Sequence, residues 1–142
     1  MDERTKDYCG CLYYSTAALS RMVTKIADEE FKTTGLSSSH AFVLLSVNKE
    51  PGIQPCELSA QLLLEPSTIT RLIEKLEAQD LVTRVKDGKQ VHVQPTTAGK
   101  KKLKDLQVVQ KRLHQRFDDA LGKKKNDELT ASLYAALDKF SH

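Results

Sequence analysis

The sequence predicts a mainly α-helical protein in which four helices precede a two-stranded β-hairpin and two more helices follow it (α-α-α-α-β-β-α-α). Two observations support this fold class. Apolar residues recur at three- and four-residue intervals towards both ends of the chain, as expected of amphipathic helices. Between these segments, two short β-rich runs flank Asp87-Gly88, a dipeptide typical of a tight hairpin turn.

The first two helices are predicted from apolar spacing and capping residues. A long helix is expected over residues 5–33, and Gly35 is placed to end it in a left-handed conformation. Ser37 can cap a second helix that runs to about Asn48. Along the first helix, apolar residues recur at three- and four-residue steps, namely Leu12, Leu19, Met22, Val23 and Ile26. The second helix would bury Phe42 and Leu45, with Leu44 as a further candidate.

Two shorter helices are expected in the middle of the chain. Residues 55–63 have Pro55 at the first position, which proline favours, and Pro66 opens a helix over residues 66–79 in the same way. The second of these helices carries one apolar stripe and leaves its polar residues on the opposite side. The stripe consists of Ile69, Leu72, Ile73 and Leu76.

The hairpin and the last two helices complete the predicted fold. Strands are expected at 82–86 and 89–94, joined by Asp87-Gly88. A helix over 97–121 would end at Gly122, and Asn126 would cap a last helix over 126–140. One face of the hairpin would carry Val82, Arg84, Lys86, Lys89, Val91 and Val93. The other would carry Thr83, Val85, Gln90 and His92.

Length and composition narrow the class of protein. The 142 residues suit one domain, or one core with a built-in dimerisation module. No apolar run approaches the roughly 18 residues that a membrane span needs, and the charged N-terminus has no apolar segment behind it. Three cysteines, an odd number, argue against a secreted disulfide framework. We therefore expect a cytoplasmic protein that makes no contact with membranes.

Positive charge is concentrated in the middle of the chain. Residues 65–104 contain nine Lys/Arg and five Asp/Glu, a net charge of +4, whereas residues 1–64 have a net charge of −2. A concentrated basic segment is the electrostatic footprint of a phosphate-binding surface. By itself it is equally compatible with a solvated surface.

Two short helices followed by a hairpin form a winged helix-turn-helix. In such a unit the second helix enters the major groove of DNA, and the hairpin reaches the backbone or the minor groove. The predicted helix 66–79 suits this role because small hydroxyl residues and Arg71 lie off its apolar stripe. Arginine can pair with guanine through two hydrogen bonds, while serine and threonine can bond to base edges or phosphate.

An ordered series of short motifs resembles the core of the MarR family of transcriptional regulators. The series is Leu58-Ser-Ala-Gln-Leu62, Pro66-Ser-Thr-Ile-Thr-Arg-Leu-Ile-Glu-Lys-Leu76-Glu, Leu81-Val-Thr-Arg84 and Thr96-Thr-Ala-Gly99. The long flanking helices resemble the dimerisation helices of that family, so the likeness covers nearly the whole chain. It implies a homodimer in which residues 35–97 bind DNA and residues 1–34 and 98–142 dimerise.

Three positions depart from the family pattern. Asp80 stands where the family usually has glycine, and aspartate tolerates a left-handed conformation better than most residues. Glu65 replaces the usual serine-like cap before the recognition helix and would repel a nearby phosphate. Lys89 stands where the family's wing has arginine, and about three residues upstream of it are missing. Lysine binds phosphate as a point charge but reads a narrow groove less well than arginine.

The resemblance implies a function and a set of contact residues. We expect a DNA-binding transcriptional regulator, most often a repressor, that a small ligand or an oxidant releases from a pseudo-palindromic site on double-stranded DNA. The alternative is a winged-helix protein-interaction module that does not bind DNA. The expected DNA contacts are Ser67, Thr68, Thr70, Arg71, Lys75, Arg84, Lys86 and Lys89.

Cys9 is the candidate for redox sensing. The hydroperoxide-sensing branch of the family has a reactive cysteine near the start of the first helix and a tyrosine four residues on, a spacing that Cys9 and Tyr13 match. The branch's supporting tyrosines at the start of the second helix are absent. Packing is therefore the competing role for Cys9 and Cys11, and a buried position is expected for Cys56.

No motif indicates catalysis, a cofactor or a metal site. The four histidines show no metal-ligand spacing, and neither a nucleophile–base set nor a glycine-rich phosphate loop is evident. We therefore expect a protein that is not an enzyme. Of the two lysine runs, Lys100–Lys102 opens the helix after the hairpin and can reach phosphate. Lys123–Lys125 is expected to lie in a solvated loop.

Overall fold

A computed structural model describes residues 1–141 and has the predicted order of helices and strands. His142 lies outside the described residues. The chain forms two compact units, residues 1–106 and 107–142. The elements are α1 (Leu12–Phe31), α2 (Ser38–Lys49), α3 (Pro55–Leu62), α4 (Pro66–Ala78), β1 (Val82–Asp87), β2 (Gln90–Pro95), α5 (Thr97–Leu121) and α6 (Lys123–Phe140). Across residues 1–141, no helix is long and apolar enough to cross a membrane.

The first helix begins later than predicted. Glu3–Tyr8 form a separate 3₁₀ helix, and the chain is extended at Cys11 before α1 begins at Leu12. The interruption falls at Gly10, and glycine is about 1 kcal/mol less favourable than alanine inside a helix. At the other end, Gly35 adopts the predicted left-handed conformation, with φ of 80°.

The second helix is capped as predicted but buries a different set of residues. The hydroxyl of Ser37 accepts a hydrogen bond from the backbone N–H of His40. Phe42 was expected in the core but is 40% exposed, and its ring lies edge-on to that of Phe31. The further candidate Leu44 is buried, whereas Leu45 is only half-buried; the other apolar core positions of α2 are Ala41, Val43 and Val47. Helix α2 is apolar around most of its circumference, so periodicity alone does not distinguish its core face.

Helices α3 and α4 form the helix-turn-helix. Helix α3 ends at Leu62, the following Leu63 adopts a left-handed conformation with φ of 54°, and α4 begins at Pro66. The stripe of α4 is buried as predicted, because its four apolar residues pack into the core of the first unit. Asp80 has φ of 59°, which confirms that it takes the left-handed position where the family usually has glycine.

The hairpin turn lies one residue later than predicted. Asp87 pairs with Gln90, so the two turn residues are Gly88 and Lys89 rather than Asp87 and Gly88. Gly88 has φ of 62° whereas Lys89 has negative φ, which fits a two-residue turn that needs glycine first and excludes the type I′ turn that Asp-Gly usually indicates. The predicted pairing is therefore wrong by two residues. The predicted faces are retained, because a shift of two preserves the alternation.

The loop before α3 pairs with the hairpin through a single β-bridge at Ile53. Ile53 forms an antiparallel bridge with Val93, in which the N–H of Val93 donates to the carbonyl of Ile53 over 2.9 Å. The Nδ1 atom of His92 lies 2.9 Å from the carbonyl oxygen of Gly52. These contacts attach β2 to the loop before α3.

The start of α5 is joined to the end of α4 through the Thr-Thr-Ala-Gly motif. The Thr96 hydroxyl donates to the carbonyl of Asp80 over 2.6 Å and accepts from the N–H of Gly99 over 3.0 Å. A Cβ atom on Gly99 would lie 2.0 Å from the carbonyl oxygen of Leu81. The motif therefore fixes the approach of α5 to the winged helix-turn-helix.

In the second unit, α6 begins earlier than predicted. Its first residue is Lys123, directly after Gly122, whose φ is 83°. The lysine run 123–125, expected in a loop, therefore forms the first turn of α6, where Lys123 pairs with Asp127. Asn126 does not cap the helix: its side chain is buried and donates to Asp118 over 2.9 Å.

Candidate nucleic-acid interface

Helix α4 presents a polar face to solvent because its apolar face is buried in the core. Ile69, Leu72 and Leu76 are at most 8% exposed. On the other side, Ser67, Thr70, Arg71 and Lys75 are exposed, and Thr68 is half-buried. The structure thus brings the predicted contact residues of α4 onto one accessible surface, as the spacing indicated.

Arg71 is held by a neutral group. Its Nη2 atom lies 3.4 Å from the hydroxyl of Thr68, one turn earlier. Within residues 1–141, the ion pairs found include none for Arg71, Lys75 or Glu74. Both cations on this face are therefore accessible to an external anion.

The hydroxyl groups at the start of α4 make local contacts. Thr70 donates to the carbonyl of Pro66 over 3.0 Å, which leaves its oxygen able to accept a further hydrogen bond. Glu65 precedes the helix and makes no side-chain capping bond. The first backbone N–H groups of α4 thus have no cap from this side chain, and such groups favour a phosphate.

Arg84 is placed differently from Arg71. Its Nη2 atom lies 2.9 Å from Oε1 of Glu77 on α4, and its backbone N–H donates to Oε2 of the same carboxylate over 3.2 Å. Hydrogen bonds with Arg84 lower the pKa of Glu77, and the reciprocal side-chain bond raises the pKa of Arg84. The pair fastens the hairpin to α4. The partner residue, Glu77, was not identified from the sequence, because seven residues and a change of element separate it from Arg84.

The two hairpin lysines lie beside this surface. Lys86 and Lys89 are exposed; Lys89 lies in the turn itself, and Lys86 lines a cleft between α4 and the hairpin. The cleft has a volume of about 470 Å³ and is also lined by Thr70, Glu77 and Arg84. All eight predicted contact residues thus belong to α4 or to the hairpin that is attached to it.

The cysteines are all exposed. Cys9 closes the N-terminal 3₁₀ helix and Cys11 immediately precedes α1, so the two do not share a helix as expected. Beside them, the rings of Tyr8 and Tyr14 pack with centroids 5.3 Å apart. Cys56 is exposed as well, which contradicts its expected burial, and its sulfur lies 3.7 Å from Oε1 of Gln54.

The sequence is similar to known transcriptional regulators. The sequence profile of the MarR family matches residues 34–90. The transcriptional regulator SarZ of Staphylococcus saprophyticus is 27% identical over 116 residues, which are 80% of this chain and 77% of SarZ.

Solved structures show the same fold. Staphylococcus aureus MepR in complex with DNA superposes with a TM-score of 0.78 at 19% identity, over 91% of this chain and 97% of MepR. CouR of Rhodococcus jostii RHA1, solved with p-coumaroyl-CoA, gives a TM-score of 0.75 at 20% identity, over 89% of this chain and 91% of CouR.

The packed helix pair α3–α4 and the attached hairpin define a winged helix-turn-helix protein. Within that class, residues 34–90 match the MarR family, and the ordered motifs from Leu58 to Gly99 extend the likeness to the start of α5. The match of residues 34–90 to the MarR family and the similarity to SarZ indicate a DNA-binding transcriptional regulator.

Proposed function

We propose that the protein is a cytoplasmic repressor that binds a pseudo-palindromic operator as a homodimer and is released by a small ligand or an oxidant. The observation that carries the DNA-reading part of this proposal is the exposed face of α4. There, Arg71 and Lys75 extend from a helix whose other face is buried, and neither cation is neutralised by a carboxylate within residues 1–141.

The eight predicted contact residues divide into three roles in this proposal. Ser67, Thr68, Thr70 and Arg71 read base edges, with Arg71 suited to guanine. Lys75, Lys86 and Lys89 hold phosphate. Arg84 acts mainly as a positioning residue, because its guanidinium is already paired with Glu77. That pair sets the orientation of the hairpin on α4 and therefore where Lys86 and Lys89 meet the DNA backbone.

The homodimer is supported by unpartnered apolar surface in each unit. On α1, Leu12 and Met22 are each 62% exposed although they belong to the helix's apolar face. In the second unit, α6 exposes Leu133, Tyr134, Leu137 and Phe140. Exposed apolar patches of this kind mark association surfaces. We therefore retain residues 1–34 and 98–142 as the proposed dimerisation segments and 35–97 as the DNA-binding segment.

Release by an effector completes the proposal. CouR was solved with p-coumaroyl-CoA bound, so a protein of this fold accommodates a small ligand. For release by an oxidant, the candidate is Cys9, which is exposed and directly follows Tyr8 in the sequence. Exposure is one requirement for a reactive cysteine.

The operator and the release mechanism can be tested in sequence. Selection of bound fragments from genomic DNA should yield a site with two half-sites about 10 base pairs apart, one helical turn, as a two-fold dimer requires. Peroxide should then release this site from the wild type but not from Cys9→Ser, with Cys56→Ser as the matched control. Unchanged affinity of the wild type after peroxide treatment would remove the oxidant and leave the small ligand as the effector.

A further inference from the structure

A mixed histidine–carboxylate cluster lies at the turn between α5 and α6, within the second unit. His114 and Asp118 are one turn apart on α5, and Asp127 lies in the second turn of α6. One ligand atom from each residue lies within 4.8 Å of the others. We propose that these three side chains form a binding site for a divalent first-row transition-metal ion of the Zn²⁺ type. This proposal is independent of the proposed DNA-binding function.

The distances suit such an ion. Nε2 of His114 lies 3.5 Å from Oδ2 of Asp118. Two ligand atoms about 2.1 Å from a tetrahedral Zn²⁺ are separated by about 3.4 Å, so these two atoms already have the separation of a tetrahedral edge. The third ligand atom, from Asp127, must move by up to about 1.4 Å to reach the same separation (4.8 Å less about 3.4 Å), which an exposed aspartate can do by rotating its side chain.

The buried side of the cluster fixes one ligand in place. Asp118 is 13% exposed, and its second oxygen, Oδ1, accepts a hydrogen bond of 2.9 Å from the Asn126 side chain. Asn126 is itself 8% exposed and accepts a hydrogen bond from Thr130. Such outer hydrogen bonds orient metal-binding carboxylates and strengthen binding. The network leaves Oδ2 of Asp118 directed at His114 and available to a cation.

The ammonium group of Lys123 already pairs with one of the three proposed ligands. Nζ of Lys123 lies 2.8 Å from Oδ2 of Asp127. The Lys123 side chain is 75% exposed, so it can leave for water when a metal ion enters. Lys123 is therefore the competitor of the proposed ion.

The histidine sets the chemical class of the ion. A carboxylate pair alone would suit Mg²⁺ or Ca²⁺, whereas imidazole favours Zn²⁺ and its neighbours in the first transition series. Sequence spacing did not reveal the site because His114 and Asp127 lie on different helices. The turn at Gly122 brings them together.

The test is titration of the full chain, free of any affinity tag, with Zn²⁺ by calorimetry and with Co²⁺ by visible absorption. Because Cys9, Cys11 and Cys56 are exposed thiols that also bind these ions, each titration is repeated with all three changed to serine. We expect one saturable site per chain that persists in the cysteine-free protein and shows no sulfur-to-metal charge-transfer band.

Substitutions then assign the ligands. His114→Ala and Asp127→Asn affect exposed side chains and should each weaken binding at least about tenfold, as loss of a ligand should cost no less than loss of an outer hydrogen bond. Lys123→Ala should strengthen binding, because it removes the competing ammonium. Loss of the site in the cysteine-free protein, equal affinity for Mg²⁺, or unchanged binding in His114→Ala would each overturn the proposal.

Discussion

The two arginines of the reading unit, Arg71 and Arg84, differ in what surrounds their guanidinium groups. Arg71 contacts the hydroxyl of Thr68, whereas Arg84 is paired with the carboxylate of Glu77. Both side chains are cationic, and both belong to the elements predicted to contact DNA, Arg71 to α4 and Arg84 to the hairpin. Their partners nevertheless separate a residue that is available to DNA from one that holds the protein's own elements together.

The Arg84–Glu77 pair predicts a pH dependence of stability. Because Arg84 lowers the pKa of Glu77, the stabilisation is present above the ordinary glutamate pKa and is lost as pH falls through the lowered value. The free energy of unfolding of wild type should therefore exceed that of Glu77→Gln at about pH 6, and the difference should shrink towards about pH 3. Urea unfolding at both pH values measures this. A difference that grows on acidification would contradict it.

Lys89 predicts a non-specific contribution to DNA affinity. It is exposed in the hairpin turn and should meet a phosphate. Lys89→Ala should weaken binding to all sequences about equally and lower the slope of log affinity against log salt by about one for each phosphate that the protein no longer neutralises. Lys25→Ala, which removes an exposed lysine from α1, is the matched control. A change in sequence preference without a change in salt slope would assign Lys89 to base reading instead.

At the scale of elements, the attachment of α5 depends on a glycine. In Gly99→Ala the new Cβ would lie 2.0 Å from the carbonyl oxygen of Leu81, so the start of α5 and the segment between α4 and β1 must separate. We expect a loss of about 1–3 kcal/mol in the free energy of unfolding, the usual cost of overpacking. Denaturant unfolding measures it. Gly10→Ala is the control, since nothing lies within 4 Å of a Cβ there, and equal stability of the two variants would refute the argument.

Elements with a strong local signal could be predicted from the sequence. The stripe from Ile69 to Leu76 and Pro66 at the first helical position gave α4 its bounds and its buried face. The left-handed conformation of Gly35 followed from local chemistry, and that of Asp80 from the family resemblance together with the tolerance of aspartate for it. In these cases the residue type at a position matches the backbone conformation that the fold requires there.

The misplaced features depend on contacts that a local pattern does not contain. The turn residues Gly88 and Lys89 are set by the pairing of Asp87 with Gln90, whereas Asp87-Gly88 was the stronger dipeptide signal. Asparagine commonly caps helices, but the side chain of Asn126 instead donates a hydrogen bond to Asp118, eight residues earlier on another helix. Similarly, the role of Arg84 depends on Glu77, which approaches only when the hairpin folds against α4.

At the scale of the whole molecule, the proposed homodimer predicts that α6 tolerates charge poorly. Leu137 is 49% exposed in the protomer, so Leu137→Asp should leave the chain folded, as circular dichroism can check. In a dimer the new carboxylate would be buried without a partner, and association should weaken at least about tenfold. Sedimentation measures this. A wild type that is monomeric at micromolar concentration would contradict the dimer itself.

The most direct test of the central claim is a binding titration of Arg71→Ala against a selected operator at two salt concentrations. We expect a loss of about 1–3 kcal/mol per half-site and relaxed preference at one base position, because the variant loses a guanidinium that faces DNA. Arg21→Ala, which removes an exposed arginine from α1, should bind like wild type. If Arg71→Ala also binds the operator with wild-type affinity and sequence preference at both salt concentrations, α4 is not the element that reads the DNA.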